Sequence, residues 1–178
     1  MEIRALRPSD DRSAFRSGDP DLDRFLHRYA GQNQFRHHIG TTYVVVEGNR
    51  VTGYATVAPG HIEIEDLPPA RRKRLPRYPL PVLRLARLAV DEPYQGRGLG
   101  MQMLRFVLTL ALQMAGEFGC LGVVVDAKPG AVSFYRQLGF VPLEVVEGHS
   151  LARPPATAMF LPLKDIEAAS KAAGAVRS

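Results

Sequence analysis

The stretch "QGRGLG", residues 95–100, stands between two apolar runs, "PVLRLARLAVD" before it and "MQMLRFVLTLALQMA" after it. The first run reads as a strand and the second as a helix. A further run, "LGVVVDA", reads as another buried strand. Residues 82–127 are therefore predicted to form a β-α-β unit. Its two strands should be parallel, because a helical crossover returns the chain in the same direction, with a right-handed connection. That unit places the chain in the α/β class. It also puts the glycines at the carboxyl end of the first strand, where ligands of open α/β sheets bind.

Glycines at this density cost chain entropy on folding. What they offer is close approach to backbone. The first four N–H groups of a helix lack internal partners, and the helix dipole adds about half a positive charge there. A phosphate is the usual guest of such a turn. From the glycines alone, a phosphate site and a plain tight turn stand level. Of two nucleotide motifs, one is excluded and the other weakened by missing parts. A Walker loop ends in Gly-Lys-Ser/Thr, and Leu99, Gly100 and Met101 stand there instead. A dinucleotide fingerprint needs G-x-G-x-x-G, whereas this turn is G-x-G-x-G.

The rest of the chain fits around that unit. "EIRAL" reads as a first strand. "SGDPDLDRFLHRYAGQNQFRHH" reads as a helix, capped by Ser17 or Asp19, with Leu22, Phe25, Leu26 and Tyr29 on its apolar face. "TTYVVVE", "GN" and "RVTGYATVAP" form a hairpin, and "DLPPARRKRLP" a short helix capped by Asp66. "PGAVSFYRQLGF" reads as a short helix ended by Gly139 at a C′ position, and "ATAMFLPL" as the last strand. The tail, residues 164–178, is Ala-rich and reads as a frayed helix.

A length of 178 residues, 46% of them hydrophobic and 23% charged, suits one soluble domain with a sizeable core. "FVLTLALQMA" is too short and interrupted to span a bilayer. The N-terminus lacks the apolar segment of a signal peptide, so a cytoplasmic location is expected and no membrane partner. The single cysteine, Cys120, allows no internal disulfide and reads as a buried structural thiol. No metal site is expected. The net charge of +5 is concentrated: residues 70–87 hold seven basic side chains and no acidic one. An anionic partner follows as a modest expectation.

"RLAVDEPYQGRGLGMQML" resembles the acetyl-coenzyme A motif of the GNAT N-acetyltransferases, Q/R-x-x-G-x-G/A, with Gln95, Gly98 and Gly100 on its fixed positions. "VVVDAKPGAVSFYRQLGF" resembles that family's next strand and helix, and the order of elements matches over residues 1–163. The resemblance implies a GNAT acyl-CoA N-acyltransferase fold over 1–163. That fold has a central mixed, mostly antiparallel sheet flanked by helices, with the parallel β-α-β unit holding coenzyme A. It implies acetyl-CoA as cosubstrate, with its pyrophosphate on the backbone of Gln95, Gly96, Arg97, Gly98, Leu99, Gly100 and Met101. Its pantetheine arm would run along Leu88, Ala89 and Val90. It implies Tyr135 as the acid that protonates the departing sulfur. More narrowly, "FRSGDPDLDRFLHRYAGQNQ", "TYVVVEGNRVTGYATVAPG", "RLPRYPLPVLRLARLAVD" and "FLPL" resemble the GNAT branch that contains the toxins of bacterial toxin–antitoxin pairs. That branch implies an aminoacyl-tRNA acceptor, inhibition of translation, a ribbon-helix-helix antitoxin and a homodimer.

The residues bear on this chemistry directly. A phenol of ordinary pKa about 10 stays protonated and can pass a proton to a thiolate. The alternative for Tyr135 is a core position, because Ala131, Phe134, Tyr135 and Leu138 share one helix face. Asp91, Glu92 and Glu63 read as solvated or capping carboxylates rather than as a general base. An α-amino group of pKa about 7.7–8.0 is already partly neutral near pH 7 and needs less help than a lysine. In the basic segment, Arg71, Arg72, Lys73, Arg74 and Arg77 are candidate phosphate contacts, with Arg84 and Arg87 nearer the site and Tyr78 available to stack on a base. The alternative there is a solvated loop. Arg36, His37 and His38 are a possible extension of that patch. "GHSLA", residues 148–152, approaches a nucleophile elbow, but Pro154 and Pro155 follow where a helix must begin. Two other readings stay open: acetylation of a small-molecule or protein amine, and a non-catalytic acetyl-CoA-binding module.

Overall fold

The β-branched runs become strands: β1 (Glu2–Ala5), β2 (Thr41–Glu47), β3 (Arg50–Ile62), β4 (Leu80–Val90), β5 (Gly122–Ala127), β6 (Val141–Pro142) and β7 (Thr157–Pro162). The computed structural model describes residues 1–144 and 155–168. Its seven strands form one sheet in the order β1-β2-β3-β4-β5-β7-β6. The pairs β1–β2, β2–β3, β5–β7 and β6–β7 are antiparallel. Neighbours β4 and β5 are joined by a 19-residue helix rather than a hairpin, the connection expected from the glycine turn and its flanks. The two-residue strand β6 carries too little pattern to be legible in the sequence.

The chain divides into two compact units, Met1–Ala58 with Leu85–Val107, and Pro59–Arg84 with the described residues from Leu108 onward. Strands β3 and β4 run through both.

In the first unit, Phe15, Phe25, Leu26, Ala30, Val44, Val51, Tyr54 and Ala89 are buried together. Helix α1 (Pro20–Arg24) opens on Asp19, whose carboxylate accepts from the N–H groups of Asp21 and Leu22. Asp19 is thus the cap, while the Ser17 hydroxyl donates to Asp23 at 2.6 Å. Beyond Arg24 the helix widens into π turns, Phe25–Tyr29 and Gln32–His37. A wider turn carries the apolar stripe forward by a residue. Ala30 is therefore fully buried, and Tyr29, expected on the apolar face, is 46% exposed.

Helix α2 (Leu99–Glu117) buries Leu99, Met103, Leu104, Val107, Leu108 and Ala111 at helical spacing. Met103 packs close to β3 because position 53 is glycine: a Cβ there would lie 3.0 Å from the Met103 Cε. By length and hydropathy alone α2 is long and apolar enough to cross a membrane, longer than the run read from the sequence. Its buried stripe is that of a core helix.

In the second unit, Ile62, Leu67, Leu80, Val82, Val124, Leu143 and Phe160 form the core. The helix expected from Asp66 is absent. Two short 3-10 turns, Ile64–Asp66 and Pro69–Arg71, stand in its place, since Pro68 and Pro69 remove donors that a continuous helix requires. Asp66 instead completes a capping box with Glu63. Cys120 is buried, its thiol donates to the Gly122 carbonyl at 3.2 Å, and burial pushes that thiol up. Residues 163–168 are helical. The remainder of the tail and "GHSLA" lie outside the described residues.

Candidate functional site

In the first unit, β4 ends at Val90 and the chain turns through a short 3-10 segment, Glu92–Tyr94, into the glycines. Gly96 and Gly98 hold φ of 76° and 77°. Left-handed backbone costs an ordinary L-residue roughly 1–2 kcal/mol, so both positions require glycine on conformation alone. A Cβ at either would meet nothing within 4 Å, so crowding is not the reason. The turn faces open space. Its amides and the first-turn amides of α2, from Gly96 to Met101, suit a pyrophosphate. Arg97 is exposed on the same turn, with its guanidinium 5.5 Å from the Tyr94 ring centre. The Tyr94 hydroxyl donates to the Glu47 carboxylate, which pushes that phenol up. Leu88, Ala89 and Val90 form the last residues of β4, leading into this turn.

The turn is clasped by residues whose part the sequence reading missed. Asp91 is 1% exposed. It accepts from the Arg16 N–H at 2.9 Å and from the Arg50 guanidinium at 2.6 Å, and its own N–H donates to the Thr52 carbonyl at 2.9 Å. The Glu92 N–H donates to the Arg16 carbonyl at 2.8 Å. Gln95, expected to bind cofactor, commits its side-chain amide to the carbonyls of Ser17 and Val90 at 2.8 and 2.9 Å. Its side chain holds the turn's shape. The one sequence signal was an acidic residue directly after an apolar strand. We expect Asp91→Ala to raise the KM for acetyl-CoA by about tenfold or more with a smaller change in kcat, as loosening a positioned site from outside the chemistry does. Steady-state kinetics at saturating acceptor checks this, and an unchanged KM would remove the clasp from substrate binding.

The second unit holds the other candidates. Helix α3 (Val132–Gln137) ends at Leu138, and Gly139 follows with φ 94°, the C′ glycine expected. Tyr135 is buried, with Phe134 and Phe140 edge-on at 5.1 and 5.3 Å. Burial pushes its phenol above the ordinary range. Its three expected companions on the helix face, Ala131, Phe134 and Leu138, are only half-buried.

The basic segment is not one uniform patch. Arg72 donates to the carbonyls of Leu67 and Glu65 and to Glu144, so it ties the loop down. Arg71 lies 3.8 Å from Asp165, and Arg84 pairs with Asp126 at 2.7 Å. In the first unit, Arg87 stacks 3.7 Å over the Phe25 ring. Lys73, Arg74, Arg77 and Tyr78 are exposed, with Arg74 in left-handed backbone at φ 68°. Arg36, His37 and His38 are exposed on the last π turn and its end. Of the carboxylates, Glu63 is a capping group, Glu92 is exposed, and Asp91 is neither solvated nor a cap but belongs to the clasp.

A family model described as an acetyltransferase (GNAT) domain matches residues 38–142. A tRNA-acetylating toxin of Mycobacterium tuberculosis is 35% identical over 138 residues, spanning 77% of this chain and 82% of that protein. AtaT complexed with acetyl-methionyl-tRNAfMet superposes with a TM-score of 0.83 at 28% identity, over 94% of this chain and 97% of that one. A tyrosine-to-phenylalanine mutant of AtaT, bound to the C-terminus of the antitoxin AtaR and to acetyl-CoA, superposes with a TM-score of 0.75 at 28% identity. That match covers 94% of this chain and 96% of the other.

Proposed function

The chain belongs to the GNAT acetyltransferases, and from that premise we propose that it moves acetyl from acetyl-CoA to the α-amino group of an aminoacyl-tRNA, as a toxin that blocks translation. The observation that carries this reading is the likeness to AtaT complexed with acetyl-methionyl-tRNAfMet, which extends over nearly the whole of both chains. The antitoxin-bound relative supports a neutralising protein partner. The toxin branch resembled by the sequence adds a ribbon-helix-helix antitoxin, a homodimer and action in the cytoplasm, where charged tRNA is found.

In this mechanism the amides from Gly96 to Met101 hold the pyrophosphate, and the end of β4 aligns the pantetheine arm. The neutral α-amine attacks the thioester carbonyl directly. The C–N bond forms, the oxyanion is held by backbone donors, and the C–S bond breaks. Tyr135 gives its proton to the departing thiolate and regains one from the ammonium of the intermediate through water. No acyl-enzyme forms. An α-amine with pKa near neutrality does not need a strong dedicated base, consistent with the structural roles of Asp91 in the clasp and Glu63 in its capping box.

Incubation with labelled acetyl-CoA and total charged tRNA tests the proposal. Label should appear on the amino acid of one or a few charged tRNAs, and the chain expressed alone should arrest growth. Label confined to small amines or proteins would replace the tRNA reading with the other GNAT one. Coenzyme A binding without thiol release would make the chain a non-catalytic module.

A further inference from the structure

A cavity of the first unit plays no part in the mechanism above. It is an open cleft of about 480 Å³ beside the start of α1, lined by Arg16, Asp23, Arg24, His27, Arg28 and Glu92, among others. Arg24, His27 and Arg28 are exposed and all three line the cleft, Arg24 from the end of α1 and the others from the π turn that follows. Arg16 joins them from the preceding loop. Three guanidinium groups therefore share the cleft. Arg16 and Arg28 form no ion pair among the described residues. Arg24 lies 3.4 Å from Asp21, with both side chains exposed, a pair that holds an arginine only weakly.

The two carboxylates differ. Asp23 accepts from the Ser17 N–H at 2.8 Å and from its hydroxyl at 2.6 Å, so it is used in shaping the loop. Glu92 is exposed, and it opens the donor turn itself. The cleft is thus fixed to that turn. The bonds from Asp91, Glu92 and Gln95 grip the backbone of Arg16 and Ser17, and a ligand in the cleft lies beside that turn. Three guanidinium groups against two carboxylates leave the cleft net positive, and forked guanidinium groups fit phosphate oxygens.

We infer that this cleft is a phosphate-binding site for the acceptor RNA, separate from the basic segment, taking part of its sugar-phosphate backbone. The inference rests on the tRNA reading given above. It adds residues from the α1 stretch, in which the sequence shows no comparable basic run.

The test is the double variant Arg24→Glu/Arg28→Glu, assayed by steady-state kinetics on charged tRNA and by filter binding of uncharged tRNA across salt concentrations. The expected result is a KM for charged tRNA raised at least about tenfold near 0.15 M salt, and a log–log salt slope shallower by about 1.5, the loss of two phosphate contacts. The KM for acetyl-CoA should stay within about twofold, which certifies the fold. An unchanged tRNA KM and slope would overturn the site. So would a variant that keeps tRNA binding but loses an acidic partner protein, since the cleft would then be a protein-docking surface. If the wild-type chain acetylates no charged tRNA, the functional reading fails on its own. The cleft is then decided by the binding arm: weaker tRNA binding by the variant supports it, and equal binding overturns it.

Discussion

Tyr135→Phe should lower the acetyl-transfer rate by about 10²–10⁴-fold, the range for removing a positioned general acid, while leaving acetyl-CoA affinity and thermal stability nearly unchanged. The substitution removes one oxygen from a ring that keeps its edge-on contacts with Phe134 and Phe140. Packing is therefore preserved and only the proton is lost. Burial raises the Tyr135 pKa, so the wild-type phenol stays protonated well past the ordinary value of about 10. The wild-type rate should accordingly climb with pH as the acceptor amine loses its proton, with no descending limb from Tyr135 below about pH 10. Stopped thiol-release assays across pH read both effects. A full rate in the phenylalanine variant would assign Tyr135 to the core alone.

Gly122→Ala should destabilise the chain by more than about 3 kcal/mol, beyond the usual range for overpacking. The added Cβ would sit 2.2 Å from the Leu161 carbonyl oxygen and 2.7 Å from the Phe160 ring. Both contacts belong to the β5–β7 pair, where Gly122 stands opposite Pro162. Relief requires moving paired backbone, not one side chain. For a chain of this length the melting midpoint should fall by roughly 6–12 °C. Gly116→Ala is the matched comparison: its Cβ meets nothing within 4 Å on helix α2, and it should gain about 0.5–1 kcal/mol. Thermal melts of both variants decide the matter, and equal midpoints would contradict the close approach of β5 and β7.

The glycine turn was legible because it is local. A strand, a glycine turn and a helix in succession carry their own periodicity, and Gly96 and Gly98 do adopt the backbone that only glycine accepts readily. The arrangement of the basic segment was not legible in the same way. Residues 70–87 looked like one cationic face because their charges are neighbours in sequence. Folding draws Arg72 to Glu144, 72 residues away, and Arg84 to Asp126, 42 away. Lys73, Arg74 and Arg77 remain exposed. The cluster of Arg16, Arg24 and Arg28 forms beside the donor turn without any run of charge to announce it.

The sequence alone therefore determined the α/β class, the hairpin and the glycine turn between β4 and α2, because propensity, periodicity and positive-φ glycine act within a few residues. Tertiary structure decided which charges are spent inside the molecule, that Gln95 and Asp91 clasp the turn, and that π turns rotate the stripe of the first helix toward Ala30. The spent charges and the clasp depend on partners brought together from distant parts of the chain, as when Asp91 meets the backbone of Arg16 across 75 positions. A hydrogen bond over that separation leaves no periodic trace in the residues between.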